Sequence, residues 1–241
     1  MSARARRAVI DRKRATRFSR ALRAWFRKRG RALPWRETRD PYRVLVSETM
    51  LQQTQVSRVV GYYGRFIDRF PTLEALANAP AGRVRESWEG LGYYARARNL
   101  HALAKRVSVL PSDPAMLRRL PGIGPYTAGA VASFAFERRA ALVDTNVGRV
   151  LRRVFAPRAD FKTSRGQKRL WSIAETILPR TGAATWTHNQ ALMELGALVC
   201  TARVARCETC PVRGLCATGG AAPSRDEPRR SGSVRKRPRT S

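Results

Sequence analysis

Residues 116–135 read MLRRLPGIGPYTAGAVASFA, and they carry the most specific structural signal in the chain. A short helix is predicted before residue 120, and a second helix is predicted to begin at Pro125, because proline suits the first turn of a helix. Gly122 and Gly124 in the connecting turn permit backbone geometry that other residues resist. Their backbone N–H groups, with the N-terminus of the second helix, can face a phosphate without an intervening side chain. The stretch therefore predicts a helical hairpin that binds phosphate, with a plain helix–turn–helix corner as the alternative.

The remainder of the central sequence also predicts helices, and strand signals such as Asn-Gly turns or sustained alternation are nearly absent. Residues 42–51 (YRVLVSETML) form a strongly apolar helical stretch, and residues 164–178 place Leu170, Ile173 and Ile177 at helical spacing. About ten helices are expected between residues 18 and 200, in an all-α fold joined by short Pro and Gly turns. Further helix starts are predicted after the following residues: Thr72, Ser112 or Asp113, and Thr187.

The composition is strongly basic, with 48 Lys and Arg residues against 17 Asp and Glu residues and a formal net charge of +31. A charge of this size indicates a polyphosphate partner, most commonly DNA or RNA, with an acidic membrane surface as the rival. The sequence contains no apolar stretch of about 18 residues, the length needed to span a bilayer. The basic N-terminus lacks the apolar region of a secretory signal. We expect a cytoplasmic, nucleoid-associated monomer with no membrane association. Basic, disordered arms are predicted at residues 1–17 and 218–241, on either side of one domain at 18–217.

All four cysteines lie on one short stretch with the spacing C-x6-C-x2-C-x5-C: Cys200, Cys207, Cys210 and Cys216. Four thiolates on one loop can close around a single metal centre. A structural zinc site usually has two C-x-x-C pairs, whereas this loop has one. Longer, uneven gaps suit the separated corners of a 4Fe–4S cluster, which the spacing therefore favours. Zinc is the first alternative, and two disulfides are the second, although nothing else in the sequence indicates an oxidising compartment.

Two carboxylates are candidate catalytic groups. Glu48 shares a helix face with Val44, Leu45 and Leu51, which predicts a partly desolvated carboxyl with a raised pKa that can act as a general acid. The alternative is a glutamate at the border that reaches solvent. Asp144 follows an apolar run and precedes a helix, so it is either a simple N-cap or a catalytic anion that the helix N-terminus keeps ionised. Two carboxyls in different electrostatic settings are typical of glycosidic bond cleavage.

The hairpin LPGIGPYTAGA, the aspartate in VDTNV and the four-cysteine loop together resemble the helix-hairpin-helix DNA glycosylases of the endonuclease III superfamily. The resemblance covers roughly residues 18–217, and it implies two helical subdomains with DNA bound across the cleft between them. One would be a six-helix module with the hairpin, and the other a module of the N- and C-terminal helices with a 4Fe–4S cluster loop. Within the superfamily, four segments are similar to MutY-type adenine glycosylases: LPWR (33–36), VSETMLQQTQV (46–56), GLGYYARARNLH (90–101) and NQALMELGALVC (189–200).

This resemblance implies a reaction in which adenine opposite guanine or 8-oxoguanine is flipped out of the duplex and cut from its sugar. Glu48 would protonate the base at N7 and later activate water, while Asp144 would stabilise the sugar cation. Tyr126 and Asn146 match pocket positions near that aspartate. The bifunctional lyases of the superfamily carry a lysine at the position of Tyr126, so the resemblance implies a monofunctional glycosylase.

The implied partner is double-stranded DNA that contains a mismatch or lesion, and three groups of residues are predicted to contact it. The first group, Gln52, Gln53 and Thr54, matches the turn that fills the vacated stack and touches the opposite base, and its amides suit base edges. In the second group Tyr93 or Tyr94 matches an intercalating tyrosine, with a core aromatic as the alternative. In the third group Arg96 and Arg98 offer phosphate contacts, with a solvated face as the alternative.

The sequence departs from the MutY-type pattern in two ways. It stops soon after the cysteines, where those enzymes usually carry a Nudix-like domain that recognises 8-oxoguanine, and it has Thr145 where they most often have glycine. A glycosylase that removes thymine or uracil opposite guanine is therefore an alternative. A catalytically silent, cluster-bearing DNA-binding protein is a further one, but a pure binder has no need for both Glu48 and Asp144.

Overall fold

The structure is a computed structural model, and it describes residues 10–219. The described residues form α-helices and short 3-10 helices without any strand, which confirms the predicted all-α class. None of their helices has the length and apolar character needed to cross a membrane. The α-helices are α1 (Arg12–Arg29), α2 (Pro41–Leu51), α3 (Val56–Arg69), α4 (Leu73–Asn78), α5 (Ala81–Ser87), α6 (Ala95–Ala104), α7 (Pro114–Leu117), α8 (Pro125–Phe134), α9 (Thr145–Phe155), α10 (Ser164–Thr176) and α11 (Gly182–Leu198), with 3-10 helices at Pro34–Arg36, Cys207–Thr209 and Arg213–Leu215.

The helices pack in two groups. In one group α2 contacts α3, α6 and α8, while α4 and α5 pack on α6 and α7 packs on α8. In the other, α1 lies along α11, α11 packs on α9, and α9 contacts α10. The first group has seven helices and not the six that the resemblance implies, because the four-residue α7 forms a separate element. The second group therefore contains the N-terminal helix α1 and the C-terminal helices α9–α11, and the first group contains α2–α8, which lie between them in the sequence.

The disordered N-terminal arm predicted for residues 1–17 is wrong for residues 12–17, which are helical. Residues 1–9 and 220–241 lie outside the described part of the chain, but α1 already begins at Arg12. Ala15 is buried in the core, and the Arg14 guanidinium donates to the carbonyl oxygens of Val154 and Leu215, at 2.8 Å each. These contacts involve residues distant in sequence, so the basic composition of residues 12–17 could not reveal them.

Most predicted helix starts are confirmed by their capping hydrogen bonds. Thr72 accepts from the backbone N–H of Ala75, and Asp113, not Ser112, caps α7. The start predicted at Thr187 is wrong, because α11 begins earlier, at a cap formed by Thr181. The local reason is that the Thr187 hydroxyl donates to a carbonyl one turn back within the helix, where it caps nothing. The apolar residues placed at helical spacing in and just after α10 are all buried: Leu170, Ile173 and Ile177.

A close approach between α8 and residues 140–143 positions the residues that follow. A β-carbon added to Gly129 would clash with the carbonyl oxygen of Ala141, so no larger residue fits there. The buried Asn189 amide fastens the same contact, since it donates to Ser133 Oγ and to the carbonyl oxygen of Ala140, both at 2.9 Å. The start of α9 is thereby held against α8 and α11.

A buried ion pair joins the segment between α1 and α2 to α11. The carboxyl of Glu194 is almost fully buried and accepts from Arg31 Nε at 2.8 Å and from Arg36 Nη2 at 2.9 Å. Arg36 also donates to Gln190 Oε1 at 2.8 Å. These hydrogen bonds lower the pKa of Glu194 to about 2, although burial alone would raise it. The charge is therefore kept inside the protein by its arginine partners.

Glu194→Gln should destabilise the protein by about 3 kcal/mol at pH 7, because the nearly buried guanidinium of Arg36 and the half-buried one of Arg31 lose their counter-charge. Since the pKa of Glu194 is lowered in the folded state, its contribution is complete above its ordinary pKa of 4.5 and is lost as the pH falls towards 2. Urea unfolding at several pH values should show the deficit of the variant shrinking over that range.

Glu137→Gln is the matched control, because Glu137 pairs with Arg39 at 3.3 Å at a site where both side chains are more than two-fifths exposed. Its cost should stay below about 1 kcal/mol. Equal losses in the two variants would contradict a special role for the buried pair.

Candidate active site

Glu48 lies in the last turns of α2, and only 3% of its surface is exposed. One carboxyl oxygen, Oε2, accepts a hydrogen bond from the Tyr126 hydroxyl at 2.8 Å. The pKa of Glu48 is raised to about 7, mainly by burial. The Tyr126 hydrogen bond and the charge of Arg36 act against this rise, and the nearby charge of Asp144 adds to it. The desolvated carboxyl that the helical periodicity predicted is confirmed.

Tyr126 occupies the first turn of α8 and connects Glu48 with a third helix. Its hydroxyl lies 3.7 Å from the sulfur of Met193, on α11. Burial, and then the charges of Glu48 and Asp144, raise the pKa of Tyr126 well above its ordinary value. Tyr126 is thus a neutral hydrogen-bond donor to the carboxyl group.

Asp144 caps α9, as its position in the sequence predicted. Its Oδ1 accepts from the backbone N–H of Val147 at 2.6 Å, and its Oδ2 accepts from the Asn146 side chain at 3.4 Å. Burial raises the pKa of Asp144 and outweighs these hydrogen bonds and the nearby Arg149 charge, which lower it. The helix N-terminus therefore favours the ionised form as expected, but that effect is not the dominant one.

Two exposed loops carry the glutamines and tyrosines that the sequence predicts to contact DNA. The turn after α2 carries Gln53, which is exposed and has a φ of +56°, and Gln52, whose amide lies 3.4 Å from Thr127 Oγ1 on α8. The loop before α6 carries Tyr93, which is 61% exposed and has a φ of +48°. Tyr94 is half-buried, so Tyr93 is the more accessible of the two tyrosines.

The two predicted phosphate-contacting arginines differ in the structure. Arg98 is exposed, as a phosphate contact requires. Arg96 is 8% exposed, and its guanidinium is hydrogen-bonded to main-chain carbonyl groups, including those of Met50 and Gly92. The prediction of a phosphate contact is therefore wrong for Arg96, because its donors point into the protein.

The turn at residues 120–124 is exposed at both of its glycines. Gly122 has a φ of +76°, and an added β-carbon would also meet Asn99, so glycine is required there. Gly124 caps α8 with a φ of −85°, which is open to other residues, and the predicted need for special backbone geometry is therefore wrong for Gly124. Pro125 occupies the first position of α8, as predicted.

The four cysteines lie on the loop after α11, and all four are half-buried free thiols. Burial, with a smaller contribution from the other three cysteines, raises the pKa of Cys210 to about 11. Within residues 10–219, however, no three Cys, His, Asp or Glu side chains are close enough to hold a metal ion.

The cysteine loop is attached to α9 by Arg149, whose Nε donates to the carbonyl oxygen of Cys200 at 2.9 Å. Arg149 also donates to Asn146 Oδ1 at 2.7 Å, which links the loop to the start of α9.

The sequence of residues 46–176 matches the family model of the HhH-GPD superfamily base excision DNA repair proteins, which is more than half of the chain. The chain belongs to this superfamily. The match includes both carboxylates, both exposed loops and the hairpin turn, but ends before the cysteines. The adenine DNA glycosylase of Rattus norvegicus is 44% identical over 215 residues, which are 83% of this chain and 41% of that protein. The adenine DNA glycosylase of Mycobacterium tuberculosis (strain H37Rv) is 43% identical over 217 residues, 87% of this chain and 70% of that one.

Several of these relatives are much longer than the present chain, which spans about two-fifths of the rat protein. Among solved structures, a thermostable thymine-DNA glycosylase superposes with a TM-score of 0.78 at 30% identity, covering 86% of this chain and 97% of that one. A trapped endonuclease III–DNA covalent intermediate superposes with a TM-score of 0.72, covering 88% and 98%. At 24% identity, the second likeness shows the shared fold alone.

Three residues near the carboxyl pair were not predicted from the sequence. Arg36 contributes a charge near Glu48, Met193 contacts the Tyr126 hydroxyl, and Thr127 lies beside the Gln52 amide. Arg36 and Met193 belong to quoted segments, 33–36 and 189–200, but no periodicity or spacing connects either segment to α2. The packing of α11 against α8 brings Met193 to the site, and the contact of the 3-10 helix at 34–36 with α2 brings Arg36 there.

The stability of the Glu48→Gln variant relative to the native protein should be higher at pH 8 than at pH 5. The pKa of Glu48 is raised from 4.5 to about 7 in the folded state, so the native protein loses stability as the pH rises through this range. The loss corresponds to about 3 kcal/mol, and glutamine escapes it because it does not ionise. Urea unfolding of both proteins at pH 5 and pH 8 measures the difference, with Glu74→Gln at an exposed site as the control. A variant whose relative stability is independent of pH would show that Glu48 titrates normally.

Proposed function

We propose that this protein is a base excision repair DNA glycosylase that hydrolyses the N-glycosidic bond of adenine mispaired with guanine or 8-oxoguanine. The observation that carries the proposal is the buried carboxyl of Glu48, hydrogen-bonded to Tyr126 at 2.8 Å and close enough to Asp144 for their charges to interact. The similarity to curated adenine DNA glycosylases of rat and Mycobacterium tuberculosis supports adenine as the base.

In the proposed reaction the neutral carboxyl of Glu48 gives its proton to N7 of the flipped adenine, so the base leaves as a neutral molecule when its bond to the sugar breaks. The electron pair of that bond stays with the base, and the sugar becomes an oxocarbenium-like cation. The largely buried Asp144 carboxylate stabilises this positive charge. The Glu48 carboxylate then takes a proton from water as the water oxygen bonds to the sugar, which restores the acid and leaves an abasic site.

The proposed ligand is double-stranded DNA with a mismatch or lesion, bound by a monomer that is cytoplasmic and associated with the nucleoid. The exposed glycines at 122 and 124 suit a backbone phosphate, and the exposed Gln53 and Tyr93 suit the opposite base and the vacated stack. Thr54 and Arg98 complete this surface. The net charge of +31 supplies a sequence-independent attraction that weakens with salt.

A thymine or uracil glycosylase acting opposite guanine is the second candidate. The observation that favours it is the likeness to a thermostable thymine-DNA glycosylase at 30% identity over most of both chains. The higher identity to the adenine glycosylases, 43–44%, is why we place adenine first.

Single-turnover assays test the proposal on duplexes that carry A, T or U opposite G or 8-oxoguanine. We expect release of adenine, at a rate that falls as the pH rises through about 7, because the acid form of Glu48 is then lost. Glu48→Gln and Asp144→Asn should each slow release by at least about 100-fold while binding to the mispair persists. Asparagine caps helices about as well as aspartate, so an active Asp144→Asn protein would return Asp144 to a purely structural role. Glu74→Gln should match the native rate.

The same assay distinguishes hydrolysis from lyase chemistry. Tyr126 offers no amine for a Schiff base, so the proposed product is an intact strand with an abasic site that breaks only in hot alkali. Borohydride trapping of a covalent protein–DNA adduct at the rate of base release would contradict the monofunctional assignment. Release of T or U in place of adenine would support the second candidate.

We further propose that Cys200, Cys207, Cys210 and Cys216 hold a 4Fe–4S cluster. The four thiols lie on one short loop, and Arg153 places a cation 3.4 Å from the Cys200 sulfur, where it would offset the negative charge of thiolate ligands. When bound, such a cluster would fold the loop around four fixed corners and hold it against α9.

Purified protein should therefore be brown and contain about four irons per chain. Cys210→Ser should lower the iron content and the visible absorption together, and the effect is read without any activity assay. Thr209→Ser, at the neighbouring position, is the control and should retain both. One zinc per chain without visible absorption would show that the site is mononuclear.

A further inference from the structure

One guanidinium group joins the two exposed loops to each other. Arg96 lies in the first turn of α6, behind the loop that carries Tyr93. Its Nη2 donates to the carbonyl oxygens of Leu91 at 3.2 Å and Gly92 at 3.1 Å. Its Nη1 donates to the carbonyl oxygens of Thr49 at 3.0 Å and Met50 at 2.8 Å, at the end of α2.

The same group also holds the turn that follows α2. Arg96 donates to the carbonyl oxygen of Gln52 and, from both terminal nitrogens, to Thr54 Oγ1 at 3.2 Å. It lies 5.6 Å from the centre of the Trp88 ring and 5.5 Å from that of Tyr93. One buried cation thus contacts the end of the helix that carries the candidate acid, the glutamine turn and the tyrosine loop.

Both loops held in this way have uncommon backbone conformations. Gln53 and Tyr93 have φ angles of +56° and +48°, and among the described non-glycine residues only Glu137 shares a positive φ. Such conformations cost free energy and persist only where the surrounding structure enforces them. The carbonyl oxygens next to both residues are acceptors for Arg96, so the guanidinium is the group in position to enforce them.

We propose that Arg96 is a positioning residue that sets the separation of the 52–54 turn and the 90–93 loop, so that both enter a mispaired duplex together. The inference rests on the proposed function, since that function brings the two loops to DNA. Only a planar guanidinium has enough fixed donors to reach both sets of carbonyl groups, whereas a lysine ammonium is a point charge on a flexible chain. Recognition of a mispair requires both loops, but an undamaged duplex is held mainly through phosphates.

Arg96→Lys tests this proposal because it keeps the positive charge and removes the fork of donors. Binding is measured in a Glu48→Gln background, so that the DNA is not cut, on a duplex with adenine opposite 8-oxoguanine and on the matched duplex, at several salt concentrations. We expect the affinity for the mispaired duplex to fall about tenfold or more, as for loss of a hydrogen bond to a charged group. Affinity for the matched duplex and its salt slope should not change.

Two further variants separate positioning from general stability. Arg139→Lys is the control for loss of a guanidinium that bridges carbonyl oxygens, because Arg139 donates to those of Pro179 at 2.9 Å and Glu175 at 3.2 Å, which belong to neither loop. It should change neither affinity. Trp88→Phe removes a hydrogen bond to the Gly92 carbonyl at 3.3 Å and leaves the donors of Arg96 in place. It should cause a smaller loss confined to the mispair, and it carries the test if Arg96→Lys does not fold.

Equal losses on both duplexes, with a salt slope reduced by about 0.9, would show that Arg96 contacts a phosphate and would overturn the proposal. Unchanged preference for the mispair in Arg96→Lys, or in Trp88→Phe where the lysine variant does not fold, would overturn it as well. Failure of the proposed function has a different signature, namely no adenine release by the protein with native Glu48 and Arg96. A protein with native Arg96 that shows no preference for the mispair would end both proposals.

Discussion

The desolvated carboxyl group of Glu48 is the constraint on which the rest of the site depends. A carboxyl that is 3% exposed can remain in a helical core only if it is protonated or finds compensating donors and charges. The compensation comes from the Tyr126 hydroxyl on α8 and the more distant charge of Arg36. Each of those groups needs its own support. Arg36 is held by the buried Glu194 on α11, and α8 is held against the start of α9 by the close approach at Gly129.

The two carboxyls of the site differ in how they are compensated, and that difference divides their roles. Asp144 receives hydrogen bonds from a backbone N–H and from the Asn146 amide, and Arg149 adds a positive charge nearby. Glu48 receives one hydrogen bond and has Asp144 as a like-charged neighbour. When one proton is available to the pair, it is therefore Glu48 that holds it and Asp144 that carries the charge. A neutral acid beside a fixed anion is the arrangement that cleavage of a glycosidic bond requires.

Local sequence patterns predicted those parts of the structure that local forces determine. The helical spacing around Glu48 predicted its burial, and the cap at Asp144 and the proline at the start of α8 follow from residue chemistry. The start of α11 was predicted wrongly, because Thr187 resembles a cap but lies inside a helix that Thr181 already caps, and its hydroxyl donates to the Ala183 carbonyl within that helix. Arg96 was assigned to a phosphate for a similar reason. On its helix it looks like a charged surface residue, and several of its acceptors are distant in sequence, such as the carbonyl of Met50 at a sequence separation of 46.

Arginine in this chain serves two purposes that composition cannot separate. The net charge of +31 indicates a polyanionic partner. Several arginine side chains, however, donate hydrogen bonds to carbonyl oxygens of the protein itself. Arg14 joins α1 to the loop of cysteines, Arg96 joins the two exposed loops, and Arg149 joins that same cysteine loop to the start of α9. Short helices connected by turns leave many carbonyl groups without partners at their ends, and a flat guanidinium with five donors can satisfy several of them at once. The basic character of the protein is therefore partly a consequence of its many short helices, and its capacity for DNA is better judged from exposed residues such as Arg98 than from the total charge.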